Sequence, residues 1–143
     1  MGKKELMEMN KLRENSQKEM REILRLSKRA ILSIHLKRLA ESKNLIERSK
    51  ENISKLQQIS LKNPEIIFTG LYSSALQEFC EANILLELLL EERFITPREL
   101  NVPYSEYILG LADVIGEFRR LTLDSIREGA INRAEEYLMK MVK

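Results

Sequence analysis

Between Gly2 and Pro64 the chain contains neither glycine nor proline, so residues 3–63 run without either of the residues that most often end a helix. Within that stretch Met20, Leu24, Ser27, Ile31 and Ile34 recur in alternating steps of four and three, one face of a long amphipathic helix. A second series, Ile46, Ser49, Ile53 and Leu56, keeps the helical period but is out of phase with the first. The phase change predicts a turn near residues 35–39, and hence a helical hairpin.

The rest of the chain carries explicit stop and start signals. Lys62-Asn63-Pro64 breaks the pattern, and with Pro64 at a first helical position a third helix is expected to about Glu92. Thr96-Pro97-Arg98-Glu99 reads as a capping box opening a short helical turn. Pro103 begins a further helix expected to reach Glu128, stopped by Gly129, after which Asn132 can cap a last segment with Glu135 three residues on. No window alternates like a half-buried strand, and no solenoid repeat or low-complexity tract is present. The expected fold is all-α, an antiparallel helical bundle forming one domain over residues 1–143.

Charged residues make up 32% and apolar residues 43% of the chain, figures that suit a globular helical protein and exclude disorder as its main state. Cys80 is the single cysteine, which excludes an internal disulfide framework and a cysteine zinc cluster and points to a reducing, cytoplasmic setting. The most apolar stretch, Ile84 to Leu90, is interrupted by Glu87 and falls far short of the roughly 20 residues of a membrane span. Leu6 stands where a myristoylation signal wants Ser or Thr. No membrane association is expected.

The net charge of +2 hides an asymmetry: residues 1–60 hold 15 Lys and Arg against 8 acids, and residues 61–143 hold 9 against 14. A basic first half suits a nucleic-acid backbone and an acidic second half suits cations, although two solvated helical faces account equally well for the split.

The acids are not evenly spread. On the third helix the buried stripe runs through Ile67, Leu71, Ser74, Glu78, Glu81, Leu85 and Leu88, which sets two carboxylates at core-facing positions three residues apart. An unpaired buried carboxylate is costly, so Glu78 and Glu81 must hold protons, pair with a cationic side chain or bind a metal ion. Asp113 and Glu117 form a second pair on the following helix, and Gly110 and Gly116 beside them allow close approach of another backbone. If the two helices pack antiparallel through these faces, four carboxylates converge as hard oxygen ligands suited to Mg or Mn. A bridge from Glu78 and Glu81 to Arg119 or Arg120 is the purely structural alternative.

Other chemistries find little support. Di-iron bundles need Glu-x-x-His pairs, and the one histidine, His35, is expected in the hairpin turn far from both acidic pairs and without a partner. Cys80 lies off the acidic stripe and reads as a packed thiol with no histidine to activate it. There is no glycine-rich phosphate loop and no Ser/His/Asp arrangement.

The run Ala75-Leu76-Gln77-Glu78-Phe79-Cys80-Glu81-Ala82, then Phe94-Ile95-Thr96-Pro97, then Tyr107-Ile108-Leu109-Gly110-Leu111-Ala112-Asp113-Val114-Ile115-Gly116-Glu117, closely resembles the translin family in order and spacing. Glu78, Glu81 and Asp113 place the resemblance on the side of translin-associated protein X (Trax), whose branch keeps the glutamate pair that translin proper lacks. The resemblance implies a seven-helix fold and a Mg-dependent endoribonuclease that cuts single-stranded RNA inside a hollow oligomeric shell. An unaccompanied Trax-like chain resembles the archaeal type, which assembles with copies of itself. The resemblance covers residues from about 8 to 140, and the family's pattern continues through further helices beyond the segment matching Asn132 to Met141.

Combined, these readings give a metal-dependent endoribonuclease in which Glu78, Glu81, Asp113 and Glu117 hold Mg or Mn, and Arg21, Arg25, Lys28 and Arg29 of the hairpin bind single-stranded RNA and possibly single-stranded DNA. The alternative is a non-catalytic single-stranded RNA- or DNA-binding module whose acids are structural. A third is a plain helical interaction protein. Leu85, Leu86, Leu88, Leu89 and Leu90 surround much of the third helix, so association into a homo-oligomer is expected to cover them.

Overall fold

A computed structural model describes residues 2–127 and 131–142, the side chains of 131–134 excepted. Among the described residues every regular element is helical: α1 (Lys3–His35), α2 (Leu39–Ser60), α3 (Pro64–Ile67), α4 (Gly70–Glu91), α5 (Pro97–Leu100), α6 (Tyr104–Arg127) and α7 (Ile131–Val142). The expected stop at Glu128–Gly129 and the capping side chain of Asn132 lie outside the described residues.

The hairpin forms where the phase of the apolar pattern changes. α1 ends at His35, Lys37 takes a left-handed backbone (φ 62°), and α2 begins at Leu39. Both predicted series face the seam: Met20, Ser27, Ile31 and Ile34 of α1 and Ile46, Ser49, Ile53 and Leu56 of α2 are buried, with Leu24 partly so. The serines matter for the spacing. Ser27, Ser42 and Ser49 are fully buried small residues that bring the helices together, and Ser49 returns its hydroxyl to the Leu45 carbonyl at 3.1 Å.

The single third helix expected from Pro64 to Glu92 is two. Thr69 adopts an extended backbone between α3 and α4, and its hydroxyl accepts the Tyr72 amide, so the chain stops and restarts there. A threonine side chain can cap a new helix as readily as it continues an old one, and here the cap prevails.

α4 is the centre of the molecule. It is covered by α1, α2 and α6, which bury Tyr72, Ala75, Phe79, Cys80, Ile84 and Leu85. Leu86 and Leu88 are also buried and Leu89 partly so, leaving only Leu90 exposed among the leucines expected to need a partner chain. α7 packs against α6, where Phe118 and Tyr137 meet edge to face with ring centroids 6.5 Å apart.

The twelve residues between α4 and α6 decide how these helices meet. α4, with 22 residues, is about 33 Å long, and a twelve-residue link can span about 40 Å, enough to carry the chain back along the whole helix. The return path is pinned at several points. Arg93 bridges Glu87 at 2.9 Å and Glu99 at 2.7 Å, Tyr107 donates to the Ile95 carbonyl, and Gln57 donates to the Asn101 carbonyl at 3.1 Å. The Thr96 capping box is formed in full. α6 therefore starts beside the beginning of α4 and runs parallel to it: Ser73 meets Glu106 and Gln77 meets Asp113. The acidic faces are brought together by parallel and not by antiparallel packing, while α2 and α7 run antiparallel to α1 and α6.

Candidate active site

Gly110 sets the closest point of the α4/α6 seam. A Cβ at this position would lie 2.8 Å from the Cys80 Cβ, 2.9 Å from the Gln77 carbonyl oxygen and 3.0 Å from the Glu81 amide nitrogen. Only glycine permits that approach. Gly116, expected to serve similarly, has open space around it. The single close contact at Gly110 is enough to bring the flanks of α4 and α6, and the acids on them, within electrostatic reach.

On α4, Glu81 is buried, with 5% of its surface exposed, while Glu78 is half-buried at the edge of the seam. The stripe read from the sequence is thus tilted on α4: Ser74 is exposed, Leu71 and Glu78 are half-buried, and Glu81, Leu85 and Leu88 turn inward. Asp113 is exposed and Glu117 half-buried on α6. Burial, followed by the charges of Glu78, Asp113 and Glu117, pushes the Glu81 carboxyl up to about 8, so at neutral pH it keeps its proton. Burial raises Glu78 too, opposed by the positive charge of Lys28, and a hydrogen bond joins the two carboxyl groups. Protonated Glu81 is the donor in that pair and Glu78 the acceptor. Among the described residues neither glutamate is bridged to Arg119 or Arg120, whose side chains are exposed.

The second pair is held by other groups. Gln77 donates to Asp113 at 2.9 Å, and Arg120 stands 3.8 Å from Glu117. His35 contacts Glu117 directly through Nε2. The expectation that His35 is remote from the acids and partnerless is therefore corrected. The parallel course of α1 and α6 brings the end of the first helix beside the middle of the sixth, a juxtaposition invisible to local sequence pattern. One signal was available: Arg21, Lys28 and His35 recur every seven residues and so share a stripe that drifts by only about 20° per step. Lys28 on that stripe faces Glu78, which ties the stripe to the acidic cluster. Gln77, also missed, is the residue just before Glu78.

The four hairpin cations divide. Arg25 binds Glu22 through two nitrogens at 2.9 and 2.6 Å, and Arg29 lies 4.0 Å from Glu41, so both are partly engaged by neighbouring acids. Arg21 and Lys28 are exposed on the stripe beside the cluster. Cys80, fully buried, has its thiol pushed up to about 12 by burial and the nearby charge of Glu106, which removes it as a nucleophile.

Among the described residues no three His, Cys, Asp or Glu side chains are grouped closely enough to hold a metal ion. The donor chemistry nonetheless suits a hard divalent cation: Glu78 and Glu81 lie within electrostatic reach of each other and of Asp113 and Glu117, and Glu81, chiefly through its burial, carries a proton. As it stands the cluster is compensated by that proton, by Gln77 and by His35. No helix among the described residues is long and apolar enough to cross a membrane.

Comparison with known proteins agrees with the fold and the family resemblance. Uncharacterized protein MJ0175 of Methanocaldococcus jannaschii is 35% identical over 102 residues, 71% of this chain and 45% of that protein, so the chain spans less than half of this relative's length. In the AfC3PO–duplex RNA complex a chain at 30% identity superimposes with a TM-score of 0.83, covering 96% of this chain and 71% of that one. Apo-NeC3PO, at 22% identity, shares the fold with a TM-score of 0.83 over 94% of this chain and 72% of its own. The Translin family matches residues 11–143, and with the glutamate and aspartate motifs seated on α4 and α6 of a bundle shared with these structures, the chain belongs to the translin family.

Proposed function

We propose that this protein is a Trax-like, metal-dependent endoribonuclease acting on single-stranded RNA at the α4/α6 seam. The observation that carries the reading is the convergence of Glu78, Glu81, Asp113 and Glu117, on two helices held together at Gly110, into a cluster where burial first and the neighbouring acids second keep Glu81 protonated. These four side chains would hold Mg or Mn, which when bound supplies an activated water and offsets phosphate charge. Binding requires Glu81 to release its proton. Lys28, facing Glu78, is placed to meet a phosphate beside the acids, and Arg21 extends that positive line along α1. The AfC3PO complex with duplex RNA supports RNA as the ligand class.

The direct test incubates the protein with end-labelled single-stranded RNA, duplex RNA and single-stranded DNA in Mg, Mn or chelator. Internal cleavage of single-stranded RNA is expected with either metal and none with chelator. Binding without cleavage under all conditions would favour a non-catalytic RNA- or DNA-binding module. The absence of a ready-made group of three metal ligands among the described residues is the observation on that side.

Salt dependence of binding distinguishes the hairpin cations. Replacing Arg21 or Lys28 with alanine is expected to lower the slope of log affinity against log salt by about 0.7 per lost phosphate contact on a single strand. Arg25→Ala and Arg29→Ala should have smaller effects, because Glu22 and Glu41 already engage them. Equal slopes for the wild type and all four variants would remove the hairpin from the binding site.

Self-association is proposed on different grounds from those the sequence offered. The leucines of α4 are mostly covered within the chain, but Ile108, Leu109, Ile115, Leu123 and Ile126 of α6 are all about half exposed. A run of apolar side chains along one helix marks an interface. Light scattering at low micromolar concentration should give the mass of a homo-oligomer, and a clean monomer mass would refute the proposal.

A further inference from the structure

His35 and Glu117 stand 82 positions apart in sequence and join the last residue of α1 to the middle of α6. Their side chains are 11% and 16% exposed, so the contact lies largely under cover and not on a solvated face. The donor side is firmly placed. The amides of Leu36, Lys37 and Arg38 return to the carbonyls of Leu32, Ile34 and Ser33, which closes the end of α1 around His35. The imidazole Nδ1 is buried without a hydrogen-bond partner, so the directional polar contact the ring makes is the one to Glu117. On the acceptor side, Oε2 of Glu117 takes the Nε2 hydrogen, while Oε1 has Arg120 at 3.8 Å, from a side chain that is two-thirds exposed and screened by solvent.

A glutamate has three rotatable bonds, and holding one carboxylate oxygen in a fixed hydrogen bond removes much of the freedom it would otherwise lose on ligating a cation. From this geometry we infer that His35 is the positioning residue of the acidic cluster: its Nε2–H fixes one oxygen of Glu117 and leaves the other available to a divalent cation shared with Glu78, Glu81 and Asp113. The inference rests on the carboxylate–cation reading above and assigns His35 no contact with the cation or with RNA. It gives a role to a residue that metal ligation and RNA binding leave unused.

The test compares two polar replacements that differ in reach. A glutamine amide extends to about the place of Nε2, whereas an asparagine amide ends near Nδ1 and cannot span the gap. Uptake of Mn by the full chain is followed by the loss of the electron paramagnetic resonance signal of free Mn, for wild type, His35→Asn, His35→Gln and Glu81→Gln. His35→Asn is expected to weaken Mn binding by about 10- to 100-fold, with His35→Gln remaining within about threefold of wild type. Wild-type affinity in His35→Asn, alongside a loss in Glu81→Gln, would overturn the role of His35 and leave the cation site standing. An equal loss in both His35 variants would also overturn it, because a reaching donor would then have failed to rescue. No saturable Mn uptake by the wild type would overturn the cation reading itself, and this inference with it.

Discussion

Glu81→Ala is expected to lower RNA cleavage by about 100-fold or more while leaving the helical bundle folded, because it removes one of the carboxylates proposed to hold the cation. Glu78→Ala should behave alike. Cleavage at the wild-type rate in both variants would end the enzyme reading, whatever either does to binding. Stability gives an independent measure of the same site. The Glu81 carboxyl is held at about 8 in the folded chain against an ordinary value of 4.5. Between those values the unfolded chain has released the proton and the folded chain still retains it. The stability this group contributes is therefore fully present below about pH 4.5 and is lost as the pH climbs toward 8. Glu81→Gln, which cannot ionise, should flatten that fall and be more stable than wild type at pH 8, by on the order of 2 kcal/mol without added metal. Thermal melts of both proteins at pH 5 and pH 8 measure the difference. A variant less stable than wild type at pH 8 would mean that the Glu81 carboxylate has a favourable partner, as in a salt bridge.

Gly110→Ala is expected to destabilise the protein by about 2 kcal/mol, seen as a lower urea midpoint. Overpacking a helix contact costs about 1–3 kcal/mol, and alanine returns somewhat less than 1 kcal/mol through its better helix propensity. The cost should fall toward the top of that range, since two of the three atoms a new Cβ would meet are the Gln77 carbonyl oxygen and the Glu81 amide nitrogen, which cannot rotate aside. Cys80→Ala should give no rescue, because the atom in conflict there is the Cβ that alanine keeps. Gly116→Ala is the matched control. With nothing within 4 Å of its Cβ, it should be neutral or stabilising by up to ~1 kcal/mol. If Gly110→Ala were as stable as wild type, the close α4/α6 approach would not be what sets the spacing of the acids.

Local pattern determined much of this protein. The absence of glycine and proline over residues 3–63, the phase change of the apolar series, the prolines at 64, 97 and 103 and the capping box at Thr96 all act through neighbours within one or two turns, so the sequence alone carries the hairpin, the starts of the later helices and the all-helical class. The pairings of Glu78 with Glu81 and of Asp113 with Glu117 were legible for the same reason, since spacings of three and four set side chains on one helix face. The Thr69 break was not, because a threonine that can cap or continue a helix is decided by what packs around it.

Tertiary structure alone decided which faces meet. Whether α6 runs with or against α4 depends on the path of the link, which is folded on itself by Arg93 and Tyr107 and anchored to distant α2 where Gln57 holds the Asn101 carbonyl. That choice brings His35 to Glu117 and Lys28 toward Glu78, leaves Gly116 open while Gly110 is closed upon, and turns Glu81 inward while Asp113 faces solvent. Side-chain periodicity fixes a residue's angle about its own helix axis, but it carries no information on the direction or height of the neighbouring helix, and a site assembled from three helices needs both.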